Sequence, residues 1–151
     1  MSGFTMGPAL LFCPADRADR YAKAAERADA VILDLEDAVS PADRGAAREA
    51  LVRHPLDPDR TIVRVNPAGT GDHARDVRAA RDAGYRTVML AKTSHPDDLS
   101  ETDGLDVVAL CETARGIAFV REIAAAPGVV ALMWGAEDLY ASLGGSSSRF
   151  P

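Results

Sequence analysis

Six short apolar runs recur along the chain, and segments with helical spacing separate them. Runs that are apolar at nearly every position are typical of strands covered on both faces, as in a parallel sheet. The pattern therefore predicts six buried β-strands connected by helices. The predicted strands cover residues 10–13, 30–33, 61–65, 87–90, 107–111 and 129–134.

The segments between the runs carry signals for helix ends. Ser40 suits an N-cap and Pro41 a first helical position, so together they predict a helix start. Gly84 suits the left-handed conformation that ends many helices. A Pro-Gly pair at 127–128 ends the helical spacing of 115–126. Further helical stretches are predicted at 21–28, 95–99 and 136–143.

Strands that alternate with helices indicate repeated βα units and a parallel sheet. Right-handed crossovers leave two main architectures, an open doubly wound sheet and a closed (β/α)8 barrel. The GxGxxG pattern of dinucleotide-binding sheets does not follow the first strand. Polar residues follow strands two, three, five and six, and barrel enzymes keep their sites at such strand ends. The sequence therefore predicts an α/β fold of the (β/α)8 TIM-type barrel.

The chain is short for that fold. A full barrel typically needs about 250 residues, whereas this chain has 151. We therefore expect residues 1–151 to form a single, partial barrel domain with about the first six βα units. The last barrel units and a cap segment are expected to be missing.

Composition and charge restrict the class of protein. Hydrophobic residues make up 47% of the chain, which argues against disorder. A net charge of −6 argues against a broad nucleic-acid surface. The sequence contains no apolar run of membrane-spanning length and no signal peptide pattern. Cys13 and Cys111 lie in apolar runs and are predicted as buried small hydrophobes rather than as a nucleophile or a disulfide. These features predict a cytoplasmic protein without a membrane or nucleic-acid partner.

Two of the apolar runs end next to a carboxylate. Glu112 follows the fifth predicted strand, and Asp138 follows the sixth. Because parallel strands end at the same edge of a sheet, both acids should lie on one rim. Mg²⁺ prefers oxygen ligands and keeps several waters, so one or two carboxylates can hold it. The alternative is that both acids only favour the N-termini of the helices that follow them.

Arg64 stands inside an apolar strand, where an unpaired charge is costly to bury. Its guanidinium could hold a substrate carboxylate at two points. The alternative is a structural ion pair with Asp34 or Glu36. Those two acids and Asp37 follow the second strand, where they are candidates to orient Arg64 or a metal-bound water. Helix capping and solvation are the equally open alternative for this acidic group.

Several stretches together resemble the citrate lyase beta-subunit-like branch of the HpcH/HpaI aldolase family, especially its stand-alone, actinobacterial-type members. The stretches occur in order along nearly the whole chain. They are LFCPADR at 11–17, AVILDLEDAV at 30–39, VRVN at 63–66, CETARG at 111–116 and WGAEDL at 134–139.

The resemblance implies a (β/α)8 barrel that is usually trimeric. It also implies a carbon–carbon lyase that depends on Mg²⁺, with Mn²⁺ as a substitute, and acts on CoA thioesters of β-hydroxy acids such as citryl-CoA or malyl-CoA. Glu112 and Asp138 would hold the metal, and Glu112 and Arg64 would act in catalysis and in binding the oxo acid. The backbone of Gly135, Ala136 and Glu137 would line the same pocket.

Other residues have weaker assignments. Arg17, Arg20 and Lys23 could meet the phosphates of acyl-CoA, or they could form a solvated helix face. Trp134 is predicted to pack, and residues 144–148 could be an active-site flap or a plain connection. The three histidines, His54, His73 and His95, are too scattered to predict a metal cluster.

Lys92 follows the fourth strand. A Schiff-base role would need a lysine with a lowered pKa, and the resemblance implies metal chemistry instead. The family often has a proline before this lysine, where this chain has Ala91.

Two alternative functions remain open. One is a metal-dependent aldolase that acts on free pyruvate-derived hydroxy acids. The other is a non-catalytic subunit that binds acyl-CoA and needs partners to act.

Overall fold

Six parallel strands form one sheet, in the order in which they occur along the chain. The computed structural model describes residues 3–145. All six predicted strands are confirmed to within one residue at each end. The strands are β1 (Leu10–Pro14), β2 (Ala30–Asp34), β3 (Thr61–Val65), β4 (Thr87–Leu90), β5 (Asp106–Cys111) and β6 (Val129–Trp134).

Helices lie between the strands, and short 3₁₀ turns precede or replace some of them. The predicted turn at 95–99 and the predicted helix at 136–143 are confirmed. The helices are α1 (Tyr21–Ala25), α2 (Arg44–Arg53), α3 (His73–Asp82), α4 (Ala114–Ala118), α5 (Val120–Ala125) and α6 (Ala136–Leu143). The 3₁₀ turns are Ala18–Arg20, Pro58–Arg60 and Pro96–Leu99.

Two helix predictions are wrong in detail. Helix α2 begins at Arg44 rather than at Ser40, because the Ser40 hydroxyl donates to the Asp43 carboxylate at 2.6 Å and the chain first makes a turn. The helix predicted over 115–126 is divided at Phe119, whose φ of −101° and ψ of 16° interrupt the helical geometry. Gly84 does end α3 with a φ of +82°, as predicted.

The register of the sheet sends alternate side chains to opposite faces. The helix-covered face carries Leu33, Val63 and Leu90, which pack with Leu51 and Val77 of α2 and α3. The opposite, inner face carries Ile32, Ile62, Met89, Val108 and Leu110. Ile32 pairs with Ile62, and two residues further on Asp34 pairs with Arg64. The inner face is therefore apolar along its length and charged at its C-terminal end.

Two arginines of α2 join it to α3. Arg44 and Arg48 donate to Asp72 at 2.8 and 2.5 Å, and Arg48 also donates to Asp76 at 2.7 Å. Asp76 is fully buried, and its other oxygen accepts hydrogen bonds from the backbone and side-chain nitrogens of Asn66. The network fixes the loop after β3 against both helices.

The strand order decides between the two architectures that the sequence allows. A doubly wound sheet reverses its strand order at a switch point, whereas these strands succeed one another in chain order. That order is the one found in a TIM-type barrel, and this chain supplies six strands of it. Within residues 3–145, no helix has the length and apolarity needed to cross a membrane.

Candidate active site

Charged side chains from five consecutive βα units meet at the C-terminal rim of the sheet. Three of these six groups are buried and three are partly buried, although each lies at the end of a strand or just after it. They are Asp34 and Glu36 after β2, Arg64 of β3, Lys92 after β4, Glu112 after β5 and Asp138 in the first turn of α6. The prediction that Glu112 and Asp138 share one rim is confirmed, because the strands are parallel. The acids at this rim lie near two cationic residues, Arg64 and Lys92.

The first cation is Arg64, which is paired mainly with Asp34. Its Nε and Nη2 donate to the two carboxylate oxygens of Asp34 at 2.7 and 2.5 Å. Its Nη1 lies farther from Glu36 and Asp37, at 3.5 and 3.9 Å. Burial alone would lower the pKa of Arg64, but hydrogen bonds and charge from Asp34 raise it, so the guanidinium stays charged. The structural ion pair that the sequence left open is therefore present, and the ring of Phe12 lies 4.9 Å from the guanidinium carbon.

Asp34 also organises the loop that follows it. Its two oxygens accept hydrogen bonds from the backbone nitrogens of Glu36 and Ala38 at 2.9 and 3.0 Å. Glu36 is nearly buried and accepts from the backbone of Asp37, whose own side chain is exposed. Of the three acids, Asp34 and Glu36 therefore belong to the buried cluster, and Asp37 lies at its edge.

The second cation is Lys92, to which the sequence assigned no role. Its ammonium lies 2.6 Å from Glu36 and 3.1 Å from Asp138. Its backbone N–H donates to the Glu112 carboxylate at 2.9 Å. Burial alone would lower the pKa of Lys92, but hydrogen bonds to Glu36 and Asp138 raise it. A raised pKa is the opposite of what Schiff-base chemistry requires.

Glu112 is the most enclosed of the proposed metal ligands, with 4% of its surface exposed. Gly135 leaves room for it, because a Cβ at that position would lie 2.3 Å from Glu112 Oε2 and 2.8 Å from its Cβ. Burial raises the pKa of Glu112, the Lys92 contacts lower it, and the charges of Asp138 and Glu36 raise it further. A positive ion at this position would therefore stabilise the charged form of Glu112.

The donor set suits a hard divalent cation. Within residues 3–145, no group of three or more acids, histidines and cysteines is arranged to hold a metal ion. Mg²⁺ does not need such a group, since one or two carboxylates and several waters complete its shell. Glu112 and Asp138 come from neighbouring units of the sheet, and both contact Lys92. The residues present therefore fit Mg²⁺ better than a metal that requires histidine or thiolate ligands.

The other predicted residues lie at different places on the rim. Gly135 is the N-cap residue of α6, while Ala136 and Glu137 are exposed in its first turn. Arg17 donates to Asp19, so it is already paired. Arg20 and Lys23 line a groove of about 400 Å³ beside β1, together with Arg27, Leu11 and Phe12.

Two further predictions concern the end of the described chain. The Trp134 side chain is 64% exposed within residues 3–145, so the prediction that it packs is wrong for the part of the chain described. Gly144 ends α6 in the left-handed conformation. The rest of the predicted flap, 146–148, lies outside the described residues.

The cysteines and histidines are not part of this charged cluster, although Cys111 directly precedes Glu112. Cys13 and Cys111 are free and buried, as predicted, and burial raises the pKa of both thiols. His73 is buried and contacts the carbonyl of Asn66 at 2.9 Å. His95 instead accepts from Asp97 and caps the 3₁₀ turn that follows β4.

The chain is similar to several curated proteins. It is 58% identical over 143 residues to the citrate lyase subunit beta-like protein of Mycobacterium tuberculosis, covering 95% of this chain and 52% of that protein. It is 35% identical over 157 residues to the L-malyl-CoA/beta-methylmalyl-CoA lyase of Cereibacter sphaeroides, covering 89% of this chain and 49% of that one. The chain thus spans about half the length of the curated relatives it matches.

Solved structures agree with this similarity. The crystal structure of M. tuberculosis CitE with magnesium, acetoacetate and coenzyme A superposes with a TM-score of 0.91 at 58% identity, over 95% of this chain and 54% of that chain. RipC from Yersinia pestis superposes with a TM-score of 0.74 at 31% identity, over 92% and 62% of the two chains. The family model of HpcH/HpaI aldolase/citrate lyase matches residues 9–150. The chain therefore belongs to the HpcH/HpaI aldolase/citrate lyase family.

Proposed function

We propose that this protein is a Mg²⁺-dependent carbon–carbon lyase. Its substrate is a CoA thioester of a β-hydroxy acid, such as citryl-CoA or malyl-CoA, in which it cleaves or forms a carbon–carbon bond. One observation carries the proposal: at the rim of the sheet, the Glu112 carboxylate accepts from the backbone N–H of Lys92, and the Asp138 carboxylate lies 3.1 Å from the ammonium of the same residue. The relative with 58% identity has been crystallised with magnesium, acetoacetate and coenzyme A, which supports the same classes of ligand here.

In this proposal, Glu112 and Asp138 hold the divalent cation. When bound, the cation supplies a Lewis acid for the oxygen on which negative charge develops as the carbon–carbon bond breaks. Glu112 is buried and fixed by the Lys92 backbone, whereas 41% of the Asp138 side chain is exposed. Glu112 would therefore supply a fixed ligand, and Asp138 would supply a ligand whose side chain can adjust its position.

Arg64 is the proposed anchor for the oxo acid. Asp34 occupies its Nε and Nη2, which orients the guanidinium and directs Nη1 to longer contacts with Glu36 and Asp37. A substrate carboxylate would find Nη1 as its donor and gain a charge-assisted hydrogen bond. The N-terminus of α6, at Gly135, Ala136 and Glu137, would line the opposite side, where helix N–H groups favour negative charge.

The acyl-CoA carrier requires a second binding surface. We assign its phosphates to Arg20 and Lys23, which line the groove beside β1. Arg17 is a weaker candidate than it was by sequence, because it already donates twice to Asp19. We also propose that the protein is a cytoplasmic homotrimer, with the small-molecule oxo acid and acyl-CoA as its partners. Light scattering, which measures the mass of the assembly, tests the trimer.

The direct test is turnover. The purified full chain is incubated with Mg²⁺ and either citryl-CoA or malyl-CoA, and mass spectrometry follows the loss of the thioester and the appearance of the shorter acyl-CoA. Because Glu112 contributes a metal ligand, Glu112→Gln should lower kcat/KM by about 100-fold or more. Asp106→Asn is a matched control, since Asp106 is an exposed acid at the opposite end of the same strand.

The same assay separates the alternatives. Turnover of free hydroxy acids but not of their CoA thioesters would favour the pyruvate-type aldolase. Binding of acyl-CoA without turnover would favour a non-catalytic subunit. Turnover that persists unchanged in Glu112→Gln and in chelator would overturn the proposed metal-dependent function.

A further inference from the structure

Lys92 has an unusual backbone conformation. Its φ is +53°, and within residues 3–145 every other residue with positive φ is a glycine. L side chains enter this left-handed region only at a cost in free energy. Such a conformation persists where the surrounding structure holds it in place, and it is concentrated at functional sites.

The contacts of Lys92 explain what the conformation achieves. Its backbone N–H points at Glu112, at 2.9 Å, while its ammonium reaches Glu36 at 2.6 Å and Asp138 at 3.1 Å. One residue therefore contacts acids that belong to three different βα units. The N–H contact depends on the backbone alone, and the other two contacts depend on the side-chain charge.

The three acids need a positive charge near them. Glu36 and Glu112 are almost buried, with 5% and 4% of their surface exposed, and like charges at a buried site destabilise one another. The Lys92 ammonium supplies that positive charge to Glu36 and Asp138. It is a compact point charge on a flexible stem, so it can move without disturbing the backbone.

We propose that Lys92 is a positioning residue whose ammonium occupies the position of the divalent cation while the cation is absent. We call this the placeholder role of Lys92. It keeps Glu36 and Asp138 together in the metal-free protein, and it leaves Asp138 when the cation binds there. The proposal rests on the proposed function in one respect, because the cation is the one assigned above to Glu112 and Asp138. The ammonium keeps its contact with Glu36 in both the metal-free and the metal-bound protein, since Glu36 is more buried than Asp138.

A competition of this kind has a defined sign. In the metal-free protein the ammonium lies 3.1 Å from the Asp138 oxygen, so a divalent cation that binds there must displace it against the repulsion of like charges. Removal of the ammonium should therefore strengthen binding of the cation, although it removes a contact of the folded protein. A lysine that is only structural predicts the reverse, because loss of its contacts would leave Asp138 less ordered and the cation more weakly bound.

The test titrates Mn²⁺ into the metal-free full chain by isothermal calorimetry, for wild type, Lys92→Met, Lys92→Gly and Lys92→Arg. Lys92→Met and Lys92→Gly should each lower the Kd for Mn²⁺ about tenfold. Lys92→Arg keeps the charge and should stay near wild type. Glycine tolerates a positive φ, so Lys92→Gly still gives a result if Lys92→Met folds poorly. The metal-free Tm should fall in Lys92→Met, and Mn²⁺ should raise it by more than in wild type.

Each outcome decides the proposal. If wild type binds Mn²⁺ and neither neutral variant binds it more tightly, the placeholder role is wrong while the proposed metal site stands. If only the neutral variants bind Mn²⁺, the placeholder role stands and the metal dependence of the wild-type protein fails. If none of the four proteins binds Mn²⁺, both are overturned.

Discussion

Arg64 and Asp34 are register partners on neighbouring strands, and the guanidinium of Arg64 donates to both carboxylate oxygens of Asp34. Only 1% of Asp34 is exposed, and its oxygens also accept the backbone hydrogen bonds that shape the loop to Ala38. The pair thus joins β2 to β3 and sets the direction in which Arg64 can meet a ligand.

Breaking this pair should be costly. Asp34→Asn leaves the Arg64 charge buried with weaker compensation, so the free energy of unfolding should fall by about 3 kcal/mol. Urea unfolding followed by circular dichroism measures the change. Asp37→Asn is the matched control, because Asp37 is exposed and lies 3.9 Å from Arg64, and it should change stability by less than about 0.5 kcal/mol. Equal effects of the two variants would contradict the assignment of Asp34 as the main partner.

Gly135 should be required for metal binding. Its Cβ in Gly135→Ala would overlap Glu112, so Glu112 must move, and the Kd for Mn²⁺ should rise about tenfold or more. Calorimetric titration measures this shift. Gly71→Ala is the control, since its Cβ would meet only an Arg75 side-chain atom at 3.7 Å. Unchanged Mn²⁺ affinity in Gly135→Ala would remove Glu112 from the proposed ligands.

Two glycine substitutions in helices should have opposite effects on stability. In Gly116→Ala, the new Cβ would lie 2.3 Å from the Thr93 carbonyl oxygen, and the backbone must move apart. We expect a loss of about 1–3 kcal/mol. Gly45→Ala meets no atom within 4 Å in α2 and should instead stabilise by about 0.5–1 kcal/mol. Thermal unfolding of both variants gives the comparison, and a stabilising Gly116→Ala would show that α4 does not approach Thr93 so closely.

Acid should weaken the contact between α2 and α3. Hydrogen bonds from Arg44 and Arg48 hold the pKa of Asp72 below its ordinary value of 3.8. A lowered pKa in the folded state gives stability that is complete above the unfolded value and is lost as the pH falls through the folded value. Asp72→Asn should therefore reduce the loss of stability below about pH 4.

The measurement for Asp72 is the urea midpoint as a function of pH. Asp103→Asn serves as the control, because Asp103 is exposed in a loop. An acid dependence that is the same in Asp72→Asn as in wild type would mean that other carboxylates account for it.

The strands could be predicted because each run is largely apolar, which follows from burial of both faces in β2 to β5, whereas the edge strands β1 and β6 are partly exposed. The meeting of Glu112 and Asp138 on one rim could be predicted because parallel strands end at the same edge. The start of α2 could not, since the hydrogen bond of Ser40 to Asp43 competes with capping. The contacts of Lys92 could not be predicted from the sequence either, because the positive φ of this lysine depends on contacts with distant βα units rather than on local sequence.

The pairing of Arg64 with Asp34 has a consequence for folding as well as for the site. A slip of one residue along β3 would turn Arg64 toward the apolar helix side, where Val63 and Val65 now lie. It would also leave Asp34 without its partner, so the misaligned sheet would contain two uncompensated charges. The charges at the rim therefore discriminate against wrong strand alignments, and the chemistry of the site also helps to specify the native fold.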